Sequence, residues 1–210
     1  MQGSFDRPLV LAAALALATA PTAAHEAHRH DRAPPGADAW KADIKLVEAT
    51  LLSQRGDKLK FPGEALGGRI VVMDFIYTNC TTVCPVVSAL FAQLQDRLGS
   101  SLGEEVSLVT ITVDPARDTP QRLRDYAARF DARPGWLWLT GEKGAVDQVL
   151  KGLGTYTPDF TRHPSVILVG DAGRGTWRRL YGLPGVEEVI AQVEALRAAR
   201  RQAAAAAKGG

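Results

Sequence analysis

The sequence contains very little sulfur, with 2 cysteines and 2 methionines in 210 residues. Two cysteines cannot form a disulfide framework. A chain of this length, with 46% hydrophobic residues, can bury a core without one. We therefore expect the cysteine pair to have a chemical role rather than to serve as a structural staple.

The sequence also lacks a strong net charge and a cluster of basic residues. The formal net charge is +2, and the 25 lysines and arginines are spread along the chain. Binding to nucleic acid requires a basic stripe or patch, so we expect no nucleic-acid partner.

The first 24 residues are typical of an export signal. Arg7 precedes an apolar run over residues 9–20, and small residues follow up to Ala24, after which we expect cleavage. The apolar run is short and rich in alanine for a membrane span, although an uncleaved anchor, and with it membrane contact, is the alternative. No cysteine follows the run, which argues against a lipoprotein. The predicted location is the periplasm, an oxidising compartment.

Residues 25–39 form a polar segment rich in histidine and proline, which we expect to be a disordered linker. Three of the four histidines of the chain lie here, at His25, His28 and His30. Two interpretations remain open: a solvated linker, or a loose binding segment for Cu(II) or Zn(II).

Residues 40–200 alternate strand-like and helix-like segments, which predicts a single α/β domain followed by a flexible tail over residues 201–210. The first two expected strands form an N-terminal β-hairpin around Gly56. The expected strands cover residues 44–52, 58–61, 69–77, 106–113, 136–139, 165–169 and 176–181. The expected helices cover residues 83–98, 121–130, 145–153 and 186–199.

Cys80 and Cys84 lie where the buried strand 69–77 is followed by a helix. With Thr81 or Thr82 as the helix cap, Cys84 falls in the first turn, where the helix dipole and free N–H groups favour a thiolate. A separation of one helical turn lets the two sulfurs form a disulfide or bind one metal ion. A cross-link closing so short a loop would add little stability.

Two thiolates are an incomplete ligand set for most metals, so a third ligand is expected elsewhere in the chain. His163 is the one histidine outside the N-terminal segment, and it precedes an apolar strand. Loops at the ends of central strands can meet in an open α/β sheet. A set of two cysteines and one histidine suits Cu(I) and Cu(II), whereas structural zinc would need a fourth ligand that the sequence does not offer. The alternative for His163 is an ordinary surface or hydrogen-bonded histidine.

Three motifs resemble the Sco/SenC family in their order and content: residues 77–85 (YTNCTTVCP), residues 113–120 (VDPARDTP) and His163. The similarity covers residues 45–196. It implies a thioredoxin-like fold, with a central mixed sheet flanked by helices, and a copper chaperone for the binuclear copper site of cytochrome c oxidase. The family's copper ligands correspond to Cys80, Cys84 and His163. The implied partners are a copper-accepting protein such as an oxidase subunit and a thiol-disulfide reductant.

The chain also departs from the family pattern. Many members have His before the first cysteine and Pro-Asp after it, whereas this chain has Asn79 and Thr81-Thr82. Most members are tethered by a transmembrane helix.

Two features instead resemble thioredoxins that exchange disulfides. Asp74, six residues before Cys80, corresponds to a buried acid that relays protons, and Pro164 resembles the cis-proline that faces a thioredoxin active site. A partly exposed Asp74 and a trans Pro164 are the plain alternatives.

The second functional hypothesis is therefore a thiol-disulfide reductase, in which Cys80 attacks, Cys84 resolves and Asp74 relays protons. Such an enzyme would keep the cysteines of a copper-accepting partner reduced. A third hypothesis, a peroxidase of the peroxiredoxin type, lacks the expected upstream Pro and Thr for either cysteine.

Overall fold

The structure is a computed structural model, and it describes residues 41–209. The predicted export signal over residues 1–24 and the predicted linker over residues 25–39 lie outside the described residues and stay predictions. No helix within residues 41–209 combines the length and the apolar character needed to cross a membrane.

Eight strands form one mixed sheet, which confirms the mixed sheet that the family resemblance implies and adds the short strand β1 to the seven expected strands. The strand order is β1-β8-β7-β4-β5-β6-β2-β3. Strands β4, β5 and β6 are parallel to one another, and every other neighbouring pair is antiparallel. The strands are β1 (Lys41–Ala42), β2 (Ala49–Ser53), β3 (Lys58–Phe61), β4 (Ile70–Ile76), β5 (Val106–Thr112), β6 (Trp136–Thr140), β7 (Val166–Asp171) and β8 (Thr176–Tyr181).

Helices cover both faces of the sheet. Residues of α2, α3 and α5 share one hydrophobic core with one face, and residues of α1 and α4 pack in the core on the other face. The helices are α1 (Gly63–Leu66), α2 (Val83–Leu98), α3 (Pro120–Ala128), α4 (Lys143–Gly152) and α5 (Val186–Lys208).

Local sequence explains how β4 and α2 position the cysteines. All seven residues of β4 are buried, as expected for a central strand with both faces covered. The apolar residues of α2 recur at helical spacing and face the sheet, and the helix ends at Gly99, whose φ is 52°. The chain therefore turns at the carboxyl end of β4, and the cysteine motif lies in that turn.

Two predicted boundaries differ from the structure. Helix α5 continues to Lys208 instead of ending near residue 199, so residues 201–208 are helical; alanine, which is abundant there, has the highest helix propensity. The predicted hairpin is present, but its first strand begins at Ala49, and β2 also pairs with β6. The hairpin thus adds two strands to the main sheet, next to β6.

The loop at Pro164 differs from the thioredoxin pattern. Within the described residues, the one cis peptide bond joins Phe61 and Pro62, so the bond before Pro164 is trans. The predicted similarity to the cis-proline loop of thioredoxins is therefore wrong, and the trans alternative holds.

Candidate metal and redox site

Cys80 and Cys84 occupy the turn between β4 and α2. The N–H group of Cys80 donates to the carbonyl oxygen of Tyr77 (3.1 Å), which closes a tight turn after the strand. Helix α2 begins after Thr82, so Cys84 lies in its first turn, as predicted. Both thiols are free, and both side chains are buried, Cys80 with 6% and Cys84 with 1% exposure.

The surroundings of the Cys80 sulfur favour its thiolate form. Burial opposes its ionisation, but hydrogen bonds from the Cys84 thiol, from the N–H groups of Cys84 and Thr82 and from the Thr82 hydroxyl outweigh burial and lower the pKa of Cys80 to about 7. The N–H group of Cys84 lies 3.4 Å from this sulfur, and the Thr82 hydroxyl lies 3.6 Å from it. These contacts hold the Cys80 sulfur against the first turn of α2, and its role as the attacking thiol stays a prediction.

Cys84 behaves in the opposite way. Burial, followed by its hydrogen bond to Cys80, raises the pKa of the Cys84 thiol far above its usual value. The expectation that a first-turn position would make Cys84 the thiolate is therefore wrong. The first-turn N–H group of Cys84 stabilises the sulfur of Cys80 instead.

Asp74 lies in the central strand β4, two residues before the strand ends at Ile76 and the chain continues to the cysteines. Its side chain is completely buried, and burial raises its pKa to about 7 in spite of the hydrogen bond from Thr110 (2.6 Å). Thr110 is the residue opposite Asp74 on β5, and its hydroxyl accepts a hydrogen bond from the Trp136 indole (2.9 Å). The plain alternative of a partly exposed aspartate is thus wrong for this residue.

Further polar groups are buried near Asp74 and Cys84. One carboxylate oxygen of Asp74, the Ser88 hydroxyl and the Tyr126 hydroxyl have no hydrogen-bond partner among the described residues. Burial is the main cause that raises the pKa of Tyr126 to about 12, and the nearby Cys84 and Asp74 groups contribute to this rise, so the groups lie close enough to interact. The structure therefore places buried polar groups in the core within electrostatic reach of Cys84.

His163 lies at the same end of the sheet but is engaged elsewhere. Its Nε2 is 3.1 Å from the carbonyl oxygen of Phe75, and its Nδ1 is 2.8 Å from the carbonyl oxygen of Phe160. Carbonyl oxygens only accept hydrogen bonds, and a neutral imidazole has a single N–H group. Binding of a metal through either ring nitrogen requires the loss of one of these contacts.

Tyr77 connects the histidine to the cysteine motif. Its ring packs edge-on against Phe160 and His163, with centroid distances of 5.2 and 6.0 Å. Burial raises the pKa of Tyr77, and the nearby Cys80 sulfur raises it further. The Tyr77 ring therefore packs against His163, and its hydroxyl lies within electrostatic reach of Cys80.

The three predicted ligands are at one end of the fold without forming a closed metal site. No group of three or more His, Cys, Asp or Glu side chains within residues 41–209 is arranged to hold a metal ion. The cysteine pair alone suits a soft ion, because it offers a thiolate and a neighbouring thiol that can become one. A complete set of two sulfurs and one imidazole requires His163 to rotate or its loop to move.

Comparison with known proteins identifies the family of the chain. The family model of SCO1/SenC matches residues 47–196. The chain belongs to the SCO1/SenC family. A relative from Stutzerimonas stutzeri, whose name provisionally describes it as copper-binding, is 33% identical over 144 residues, covering 63% of this chain and 70% of that protein. A SCO1 homolog of Bacillus subtilis is 37% identical over 79 residues, covering 37% of this chain and 40% of that protein.

Solved structures confirm the thioredoxin-like fold. A SCO1/SenC family lipoprotein of Bacillus anthracis matches with a TM-score of 0.63 and 24% identity, over 75% of this chain and 97% of that structure. Yeast Sco1 with copper bound matches with a TM-score of 0.61 and 23% identity, over 74% and 94%. At these identities the likeness concerns the fold.

Three residues near the SCO1/SenC cysteine motif were not predicted from the sequence as site residues: Thr82, Tyr77 and Asp118. Thr82 was detectable, because a hydroxyl two residues after a cysteine can reach its sulfur locally. The other two residues act through contacts between segments that are far apart in sequence: the ring of Tyr77 packs on Phe160, and Asp118 bonds to Thr78. Such contacts cannot be predicted from a local sequence pattern.

Proposed function

We propose that this protein carries copper bound at Cys80 and Cys84 and delivers it to a copper-accepting protein such as a subunit of cytochrome c oxidase. One observation supports this most: two free, buried cysteines share a hydrogen bond, and the pKa of one of them is about 7. Thiolates are the preferred protein ligands of Cu(I). The copper-bound structures of related proteins are consistent with the proposal.

The two thiols have separate tasks in taking up copper. Cys80 is the entry ligand, because it is ionised near neutral pH and is the more exposed sulfur of the two. Cys84 becomes a ligand only after losing its proton, which the positive charge of an arriving ion favours. His163 contributes third, once one of its ring nitrogens leaves its carbonyl partner.

The remaining parts of the proposal concern location and partners. The export signal over residues 1–24 directs the protein to the periplasm, where an idle cysteine pair would oxidise. A thiol-disulfide reductant is therefore required to restore the dithiol before copper binds. The histidines at His25, His28 and His30 form an auxiliary collecting segment or an inert linker, and the titration described next separates these.

A competition titration of the reduced full-length protein with a Cu(I) chelator tests the proposal. Cys80→Ser, Cys84→Ser and His163→Ala should each weaken Cu(I) binding at least about 100-fold, which is about 2.7 kcal/mol. A full-length variant with alanine at His25, His28 and His30 is the matched control and should retain the tight site. Tight binding that persists in both cysteine variants and disappears in the tail variant would refute the proposal.

A second candidate function, thiol-disulfide exchange, is favoured by one specific observation. Asp74 is fully buried within electrostatic reach of Cys84, keeps one carboxylate oxygen without a partner among the described residues, and has a pKa of about 7. A carboxyl group with that pKa can accept the proton of Cys84 when Cys84 resolves a mixed disulfide. Cys80, with its lowered pKa, would be the attacking thiol.

The Asp74→Asn variant separates the two functions. It should slow the reduction of a small disulfide substrate about tenfold or more, in the range of general acid–base effects, while changing Cu(I) affinity much less. The exchange rate is measured by stopped-flow at pH 7 with Ser88→Ala as a neighbouring control. An unchanged rate in Asp74→Asn would remove Asp74 as the proton acceptor.

A further inference from the structure

Asp118 lies forty residues from the cysteine motif in sequence and contacts it directly in the fold. Its side chain is 1% exposed. The carboxylate accepts hydrogen bonds from the Thr78 N–H group (3.1 Å), the Thr78 hydroxyl (2.5 Å) and the Thr112 hydroxyl (2.6 Å). It therefore joins the turn after β4 to the end of β5 and to the loop before α3.

Every one of these donors is uncharged. No Lys, Arg or His side chain within residues 41–209 forms an ion pair with Asp118. A buried carboxylate without hydrogen bonds would cost several kcal/mol, so these contacts hold the carboxylate and the three segments together. The backbone of Asp118 is fixed as well, since its N–H group donates to the Asp114 carbonyl oxygen (2.9 Å), and Thr119 caps α3.

The contact between Asp118 and Thr78 bears on Cys80, two residues further along the chain. The turn from Tyr77 to Cys80 is closed by one backbone hydrogen bond, and the Cys80 sulfur lies 3.4 Å from the N–H group of Cys84. Fixing Thr78 fixes the start of this turn. Without it, Cys80 would be held on its N-terminal side by the hydrogen bond from its own N–H group alone.

We propose that Asp118 is a positioning residue that holds residues 77–80 so that the Cys80 sulfur stays against the first turn of α2. Two consequences follow. A fixed Cys80 loses little entropy when it bonds to Cys84, which favours the disulfide. For the same reason it favours the binding of one soft metal ion by both sulfurs, and this second consequence rests on the proposed copper function.

The metal-free consequence is tested by equilibrium with glutathione. Two protein thiols and one glutathione disulfide give one protein disulfide and two glutathione thiols, so the two electrons and two protons leave the protein and reduce glutathione. Asp118→Asn on the full-length protein should lower this equilibrium constant about tenfold, because it disrupts hydrogen bonds to a charged group. Thr112→Val removes the hydroxyl that donates to Asp118 and accepts from the Asp114 N–H group (3.0 Å), but it leaves the contacts of Asp118 with Thr78 in place, so it should lower the constant about threefold.

The matched control is Asp171→Asn, which alters another buried carboxylate at the opposite end of the sheet. We expect its equilibrium constant to stay within about twofold of the wild-type value, although its stability falls. Equal shifts in Asp118→Asn and Asp171→Asn, or an unchanged constant in both Asp118→Asn and Thr112→Val, would overturn the positioning role. If Asp118→Asn does not fold, Thr112→Val is compared with Asp171→Asn instead. An unchanged equilibrium constant in Thr112→Val, or a shift equal to that of Asp171→Asn, would then overturn the positioning role.

Copper binding separates the two proposals. Suppose that Asp118→Asn lowers the equilibrium constant with glutathione, but that Cu(I) does not bind at the cysteines. That result would refute the copper function and leave the positioning role intact. Weaker Cu(I) binding in Asp118→Asn with an unchanged glutathione equilibrium would overturn the positioning role instead.

Discussion

The two ends of the central sheet each contain a buried carboxylate, and the two are held in different ways. At the end where β4 begins, Asp171 forms an ion pair with Arg200 (2.6 Å), and Arg200 also donates to the carbonyl oxygen of Gly68 (2.7 Å). At the end where β4 finishes, Asp118 is held by neutral donors of Thr78 and Thr112, while the neighbouring buried Asp114 pairs with the exposed Arg117 at the longer distance of 3.8 Å. An ion pair therefore holds the buried carboxylate at the end where β4 begins. The cysteine site lies at the end where β4 finishes.

The difference has a physical meaning for the cysteine site. A cation next to Cys80 would stabilise its thiolate, but it would also repel an arriving copper ion by several kcal/mol at short range in a partly buried site. Hydrogen bonds from N–H and hydroxyl groups stabilise the thiolate without adding a full positive charge. The contacts of Cys80 are therefore compatible with the proposed uptake of copper, whereas the ion pair of Asp171 with Arg200 stabilises the fold.

The largest expected effect concerns Asp74, in the central strand β4. In the unfolded chain its carboxyl group loses a proton near the usual aspartate pKa of 3.8, whereas in the folded protein its pKa is about 7. Between these values the folded state binds more protons, so rising pH lowers the stability contributed by this group. Relative to Asp74→Asn, the wild type should lose about 4 kcal/mol between pH 4 and pH 8.

Urea unfolding at both pH values measures this change. Ser88→Ala, which alters a neighbouring buried polar group without removing a carboxyl, controls for the loss of local contacts. Parallel stability profiles of the wild type and Asp74→Asn would show that Asp74 titrates normally.

The next effect concerns the opposite end of the sheet. Asp171→Ala should lower the free energy of unfolding by about 3 kcal/mol, because it leaves Arg200 without its buried partner. Arg97→Ala is the control: it breaks the exposed pair with Glu187 and should cost less than about 1 kcal/mol. Chemical denaturation measures both, and similar losses in the two variants would contradict the role assigned to this end.

Sequence patterns were sufficient for the local parts of this architecture. The buried run of β4 and the periodic apolar residues of α2 predict both elements, and their junction places both cysteines at one end of the sheet. Local patterns could not predict which thiol is ionised, because burial of Cys84 outweighs its favourable position in the helix. They also missed the contact of Asp118 with Thr78, which depends on the pairing of β4 with β5.

The two cysteines should differ strongly in reactivity. Cys80, with a pKa of about 7, is ionised to a large extent at pH 7, whereas the raised pKa of Cys84 leaves it almost wholly protonated. Alkylation by iodoacetamide at pH 7, followed by mass spectrometry, should modify Cys80 at least about 50-fold faster than Cys84. The matched variants Cys80→Ser and Cys84→Ser report each thiol alone, and equal rates would contradict the assigned roles.

The smallest expected effect concerns the hydroxyl of Thr82. Its contact with the Cys80 sulfur is long, at 3.6 Å, and it is the last of the groups that lower the pKa of Cys80. Thr82→Val should raise that pKa by about 0.3, a fraction of the effect of a strong hydrogen bond. Thiolate absorbance against pH measures the change, with Thr81→Val as the neighbouring control; an increase of more than about 1 would make Thr82 a principal stabiliser.

X-ray absorption at the copper edge of the Cu(I)-loaded, reduced full-length protein tests the central proposal most directly. We predict that two sulfur atoms and one imidazole nitrogen surround the copper. We also predict that His163→Ala removes the nitrogen and that alanine at His25, His28 and His30 leaves the spectrum unchanged. A copper environment of nitrogen and oxygen without sulfur would contradict binding at Cys80 and Cys84.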